Sequence, residues 1–290
     1  MWPRKRPAPS NPKSFLSTPT TASKKSSRSK PNPVVRIGLV GCGAIGRELS
    51  GILQRRFPKS VRITSLNDQD PAAADRLARR LRSRPQIHSL PQLVRESDLV
   101  IEAASAGAVR ALVPHLVRRP KPLLLLSTGA LLVQPELLRR LRRARVPLLI
   151  PGGALAGVEA LAAAAIGRID RIRLTTRKPP AALPGGGKRQ LSRPRLLFRG
   201  SARQAAARFP KNINVAATVA LAAGAGHRVE VQIWADPAVR RNTHLLEVAG
   251  AFGRMTTRVE NLPSPENPAT SRLAVFSAAA TLQRFLNISD

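Results

Sequence analysis

The residues able to do chemistry fall in a few short stretches. His244 sits in ADPAVRRNTHLLEVAGAFG, residues 235–253. An imidazole titrates near neutrality, so it can move a proton, ligate a metal or rest hydrogen-bonded in a core. A lone histidine among alternating apolar residues is first of all a core side chain, and the run itself does not decide the matter. GCGAIG sets Gly41, Gly43 and Gly46 in G-x-G-x-x-G spacing. The first glycine permits a tight turn, the second lets a pyrophosphate approach the backbone, and the third allows close helix–strand packing. Free N–H groups of the following helix then face the phosphate. Gly41, Gly43, Ala44, Ile45 and Gly46 are therefore candidate dinucleotide contacts. Asp68 follows Gly46 by 22 residues, the interval at which an acid meets the ribose hydroxyls. An acid favours NAD, no arginine reads as dedicated to a 2′-phosphate, and both NAD and NADP stay open. TTRKPP offers Arg177 and Lys178 at a strand end. They can hold carboxylates, or they alternate toward solvent.

Other reactive groups carry less. Cys42, the single cysteine, fills a variable position of the glycine turn as a small buried residue. Glu260 and Glu266 lie in the proline-rich ENLPSPENP, which reads as a loop. No cysteine-based zinc site is available, and no metal site is expected.

Positioning such groups requires a scaffold, and the pattern along the chain supplies one. VVRIGLV, VRITSLND, SDLVIEAAS, KPLLLLSTG and VPLLIPGG read as strands, with helical spacing between them. Strands alternating with helices through short loops predict an α/β fold, an N-terminal Rossmann-type doubly wound parallel sheet. After about residue 165 the pattern changes. RIDRIRLTTRKPP alternates like a half-exposed strand, and RVEVQIWADP, NTHLLEVAGAFG and RMTTRVENLP alternate at period two and predict antiparallel strands of a second, α+β domain. PATSRLAVFSAAATLQRFL predicts a final helix, with Thr270 or Ser271 as caps. The expected division is 34–150 for the dinucleotide, 151–265 for substrate and catalysis, and 266–290 returning to the first domain. Residues 1–33 are rich in Pro, Ser, Thr and Lys/Arg, carry no acid, and read as a disordered basic tail.

Composition narrows the partners. The formal net charge is +33 over 290 residues, which attracts anions generally. Arginines scattered through helical segments mark a solvated surface, and 3% aromatic content with no tyrosine leaves few stacking platforms for single-stranded nucleic acid. A nucleic-acid partner is not expected. The longest apolar stretch, VPLLIPGGALAGVEALAAAAIG, is broken by prolines, glycines and Glu159, so no membrane span is expected. A lone cysteine fits a reducing compartment, and a cytoplasmic location is expected, with an organelle transit peptide in residues 1–33 as the alternative.

Taken in order, VGCGAIG, LVIEAAS, STGALL, GGALAGVEAL, TTRKPP, GSARQAAARFPKNINVAAT, ADPAVRRNTHLLEVAGAFG and ENPATS resemble the L-aspartate dehydrogenases, over roughly residues 34–285. The pairing of FPKNINVAAT with ADP…NTH is the specific part. The resemblance implies NAD(P)-dependent oxidative deamination of L-aspartate to oxaloacetate and ammonia through iminoaspartate, a homodimer, and a place in supplying iminoaspartate for NAD biosynthesis. It puts the family's catalytic histidine on His244, its cofactor-contacting asparagine on Asn214 and a further cofactor contact on Ala154. An unperturbed imidazole, at about 6.5, would serve as general acid/base without a large shift. The chain departs from the family at Thr128, where a small apolar residue is common, and at Ala269, where a basic one is usual. Alternatives are a dihydrodipicolinate reductase-like or homoserine dehydrogenase-like enzyme, although the former's paired histidines are missing, or a non-catalytic dinucleotide-sensing, nucleic-acid-binding protein of the same fold.

Overall fold

A computed structural model describes residues 33–182, 191–209, 213–224, 227–264 and 267–288. The basic tail read over residues 1–33 lies outside these but for Pro33, as do the first eight residues of the loop LPGGGKRQLSRPR. The first half runs β1 (Val35–Val40), α1 (Ala44–Arg56), β2 (Val61–Asn67), α2 (Pro71–Arg80), β3 (Gln86–Ile87), α3 (Leu90–Glu96), β4 (Leu99–Glu102), α4 (Ala106–Arg118), β5 (Leu123–Leu125), α5 (Gly129–Val133), α6 (Pro135–Arg143) and β6 (Leu148–Leu149). Its six strands are ordered β3-β2-β1-β4-β5-β6, all parallel. Apolar runs such as Leu99, Val100 and Ile101 of β4 are buried throughout, because helices cover both faces of a parallel sheet. Leu49 and Leu53 of α1 join Ala74 and Leu77 of α2 on one face; Leu112 and Leu116 of α4 join Leu137 and Leu141 of α6 on the other. The chain reverses its order between β1 and β4, the place where ligands enter such sheets.

The second half runs α7 (Val158–Ala164), β7 (Ile169–Lys178), β8 (Arg195–Ser201), α8 (Ala202–Arg208), α9 (Ile213–Ala223), β9 (Val229–Ala235), β10 (Asn242–Gly250), β11 (Gly253–Asn261), β12 (Pro263–Ser264), β13 (Asn267–Ser271) and α10 (Arg272–Phe285). Five strands form a sheet ordered β11-β10-β7-β9-β8. Its inner face, with Leu174, Val231, Ile233, Leu246 and Val248, packs on Ala205, Ala216 and Val219 of α8 and α9. The antiparallel expectation needs a correction: β9 runs parallel to β7, and the other pairings are antiparallel. Alternation reports which face a residue takes and says nothing about strand direction. The final helix starts at Arg272 with Ser271 as its cap residue, but the Ser271 hydroxyl makes no cap hydrogen bond and donates to Asn261 Oδ1 instead. Val275, Ala278 and Leu282 of α10 are buried with α1 and α2 against the first sheet.

The charge is spread out. Arg76, Arg79 and Arg80 of α2 lie exposed on one side of the first sheet, and Arg139, Arg140, Arg142 and Arg143 of α6 lie exposed on the other. Among the described residues, no helix is long and apolar enough to cross a membrane.

Candidate active site

The glycine turn joins β1 to α1 at the carboxyl edge of the first sheet. Gly41 has φ +101°, and a Cβ there would meet the Ala103 backbone at 2.6 Å. A Cβ on Gly46 would stand 2.0 Å from the Gly41 carbonyl oxygen, so this position must lack a side chain for α1 to lie this close to β1. Among the described residues, nothing lies within 4 Å of the Cβ position of Gly43, and no side chain caps α1. Its first-turn N–H groups thus face an open cradle suited to phosphate. Asp68 follows β2 and reaches back: its carboxylate accepts the Cys42 N–H at 2.6 Å and the Asp70 N–H at 2.9 Å. It braces the turn directly. Burial, with Asp68 close by, pushes the Cys42 thiol up to about 12, so it stays protonated and is no nucleophile at neutral pH.

One cleft gathers Ile45 of the turn, Ala154, Asn214, Thr176, Lys178 and His244. Its first wall is built by loops. Asn214, in the first turn of α9, accepts the Gly129 N–H through Oδ1 at 3.1 Å and the Thr128 hydroxyl through its backbone oxygen at 3.0 Å. Thr128 Oγ1 also lies 3.2 Å from Thr218 Oγ1. The departure at Thr128 therefore supplies a hydroxyl that ties α9 to the loop after β5. Ala154 sits in the loop before α7, and its carbonyl accepts from Asn261 Nδ2 at 3.1 Å. The side chain of Ala269 lies outside the described residues.

Sequence reasoning passed over Glu102 at the end of β4. It is fully buried and accepts the Ala104 N–H at 2.8 Å, the Ser127 N–H at 2.9 Å and the Ser127 hydroxyl at 2.8 Å. Burial raises its pKa, while these donors oppose that rise. Glu102 locks the loop after β4 to the loop carrying Thr128.

The second sheet forms the floor. Successive strand residues face opposite ways, so Leu174, Thr176 and Lys178 of β7 look into the cleft. Arg177 does not. It ion-pairs with the buried Asp236 at 2.7 Å and lies over the Trp234 ring on the outer face. Of the two candidate carboxylate partners, Lys178 lines the cleft and Arg177 does not. Lys178 is 7% exposed, and burial lowers its pKa.

His244 lies on β10 opposite Thr176 of β7. Its Nδ1 is 3.0 Å from Thr176 Oγ1, which leaves Nε2 as the ring nitrogen for the cleft. The other histidines lie elsewhere: His88 bridges Ser65 and Gln86, and His227 bonds the Ala223 carbonyl. The expectation of an unshifted imidazole is corrected. Burial, and then the Lys178 charge, lower the His244 pKa from 6.5 to about 4. The ring is neutral at pH 7.

A consequence for stability follows. Between pH 6.5 and about 4 the unfolded chain protonates this histidine and the folded chain does not. Stability should therefore fall on acidification through that window, by roughly 3 kcal/mol from this group, and level off below it. Urea midpoints at pH 4.5 and 7 should differ more for the native chain than for His244→Ala; equal differences would exclude a buried neutral ring.

Comparison with known proteins bears on this geometry. Residues 159–285 match the family model described as aspartate dehydrogenase, C-terminal, and residues 41–146 match that of the homoserine dehydrogenase NAD binding domain. The L-aspartate dehydrogenase of Methanosarcina acetivorans is 38% identical, the match covering 88% of this chain and 98% of the relative. L-aspartate dehydrogenase 3 of Bordetella bronchiseptica is 37% identical, over 86% and 94%. Among solved structures, the aspartate dehydrogenase of Thermotoga maritima aligns with a TM-score of 0.69 at 25% identity, over 87% of this chain and 96% of that one.

Proposed function

The chain belongs to the L-aspartate dehydrogenase family, and on that premise we propose that it carries out the NAD(P)-dependent oxidative deamination of L-aspartate. L-aspartate, water and NAD(P)+ give oxaloacetate, ammonium, NAD(P)H and a proton. One observation supports this above others: a buried cation, Lys178, and a buried neutral imidazole, His244, share a cleft with Ile45, Ala154 and Asn214. The open glycine cradle fits a dinucleotide phosphate. The cofactor, when bound, accepts the hydride from the substrate α-carbon.

The chain's own groups do the rest. Lys178 holds a substrate carboxylate, its attraction strengthened by burial. His244 Nε2 removes the ammonium proton, freeing the nitrogen lone pair that drives hydride departure. It releases that proton to solvent and, neutral again, accepts one from the water that adds to the carbon of iminoaspartate. Thr176 holds the ring by Nδ1. Gly41, Gly43, Ala44, Ile45 and Gly46 cradle the pyrophosphate, with Asp68 holding the turn and edging the ribose. Ala154 and Asn214 border the nicotinamide end. The division at residues 150 and 265 follows these roles, and the homodimer belongs to the same reading.

The test follows reduced-cofactor absorbance as the protein meets oxaloacetate with NADH, then NADPH, with and without ammonia. Ammonia-dependent oxidation selective for oxaloacetate among 2-oxo acids is expected. Oxidation without ammonia would make the protein a hydroxy-acid dehydrogenase instead. No turnover from folded, dinucleotide-binding protein would sink the reading.

A further inference from the structure

We propose that the side-chain amide of Asn242 is the receptor for the substrate nitrogen: the α-amino group of aspartate in one direction, ammonia in the other. The inference rests on the aspartate reading above. Asn242 lines the cleft two residues before His244 on the same face of β10, so the two side chains rise about 7 Å apart along the strand. The antiparallel register that pairs Thr243 with Arg177 sets Asn242 beside Lys178. Its Oδ1 is buried and has no hydrogen-bond partner among the described residues. A buried carbonyl left unpaired is costly, and native structures rarely tolerate one without a reason. Here an N–H donor from the ligand supplies the missing partner.

The chemistry of the cleft points the same way. Aspartate brings two carboxylates, which need donors, and one ammonium, which needs acceptors. No Asp or Glu is among the described residues lining the cleft. The acceptors left for the nitrogen are neutral: the Asn242 amide, the His244 ring and hydroxyls such as Thr176. Neutrality suits the reaction. The nitrogen must lose a proton before its lone pair can drive hydride departure from the α-carbon. A carboxylate partner would stabilise the ammonium and oppose that loss, whereas an amide oxygen binds the nitrogen in either protonation state. Held between Asn242 Oδ1 and His244 Nε2, the nitrogen gives its proton to the imidazole without moving. A site that hydrogen-bonds one substrate group also rejects analogues lacking it, so Asn242 separates aspartate from dicarboxylates without an amine.

The experiment measures binding of L-aspartate and of succinate, which has both carboxylates and no amine, to the enzyme–NADH complex, where neither turns over. Asn242→Ala is expected to weaken aspartate at least about tenfold and leave succinate within about twofold. It should raise the KM for ammonia by a similar factor, with a smaller change in kcat. Asn242→Thr, which keeps an oxygen acceptor on a strand-compatible side chain, should fall between. NADH affinity reports that each variant is folded. Equal weakening of aspartate and succinate would overturn the proposal, since the amide would then serve a carboxylate or merely shape the cleft; so would unchanged affinity for both. A native chain that binds NADH but not aspartate fails the aspartate reading itself, and the proposal with it.

Discussion

His244→Ala is expected to lower kcat by about 100-fold or more while NADH affinity stays close to native. General acid–base groups contribute about 10²–10⁴ in rate. This imidazole reaches the cleft through Nε2, and the cofactor cradle is built from separate loops. The ring must be neutral to accept a proton, and in the free enzyme burial and Lys178 keep it neutral down to about pH 4. The acid limb of kcat/KM from this group should therefore lie well below neutrality and be absent in the variant. A bound dicarboxylate places negative charge beside the ring and favours its protonated form. The acid limb of kcat should then lie at higher pH than that of kcat/KM. Near-native turnover in the variant would remove His244 from the mechanism and return it to the role of a core histidine.

Lys178→Met should raise the KM for oxaloacetate by about 100-fold, in line with losing a buried charge-assisted bond, and leave NADH affinity within a few-fold. It also removes one of the two causes that depress His244, so the acid limb of kcat/KM should move up toward 6.5. A purely structural lysine would give the first effect only through unfolding and would not give the second. Arg177→Met provides the contrast. Its guanidinium lies on the outer face with Asp236 and Trp234, so KM should hardly change while stability falls, because the buried Asp236 carboxylate loses its partner. If Arg177→Met raised KM as Lys178→Met does, the assignment of the two faces would be wrong.

Much of the scaffold was legible along the chain. Apolar strands, glycine spacing and helical periodicity are local, set by neighbours a few residues apart, and they predicted five of the six strands of the first sheet; the two-residue edge strand β3, exposed at both positions, carries no such signal. Short α3 escaped because LPQLVRE spans only two turns and carries a proline in its first turn. The parity of Thr176 and Lys178 against Arg177 could also have been read from the period of two. Which parity faced the cleft could not.

The sequence by itself determined the strand–helix alternation, the phosphate turn at Gly41, Gly43 and Gly46, and the likeness that singled out His244. The tertiary structure alone decided that β9 lies parallel to β7, that Asp68 braces the turn, that Glu102 joins two loops, and that Lys178 and Asn242 stand beside His244. The physical reason is range. Backbone preference and periodicity act between near neighbours, whereas desolvation, charge and hydrogen-bond pairing depend on groups dozens of residues away. His244 shows the difference: an ordinary imidazole in the sequence is a depressed, neutral one once β7 carries Thr176 and Lys178 up against it.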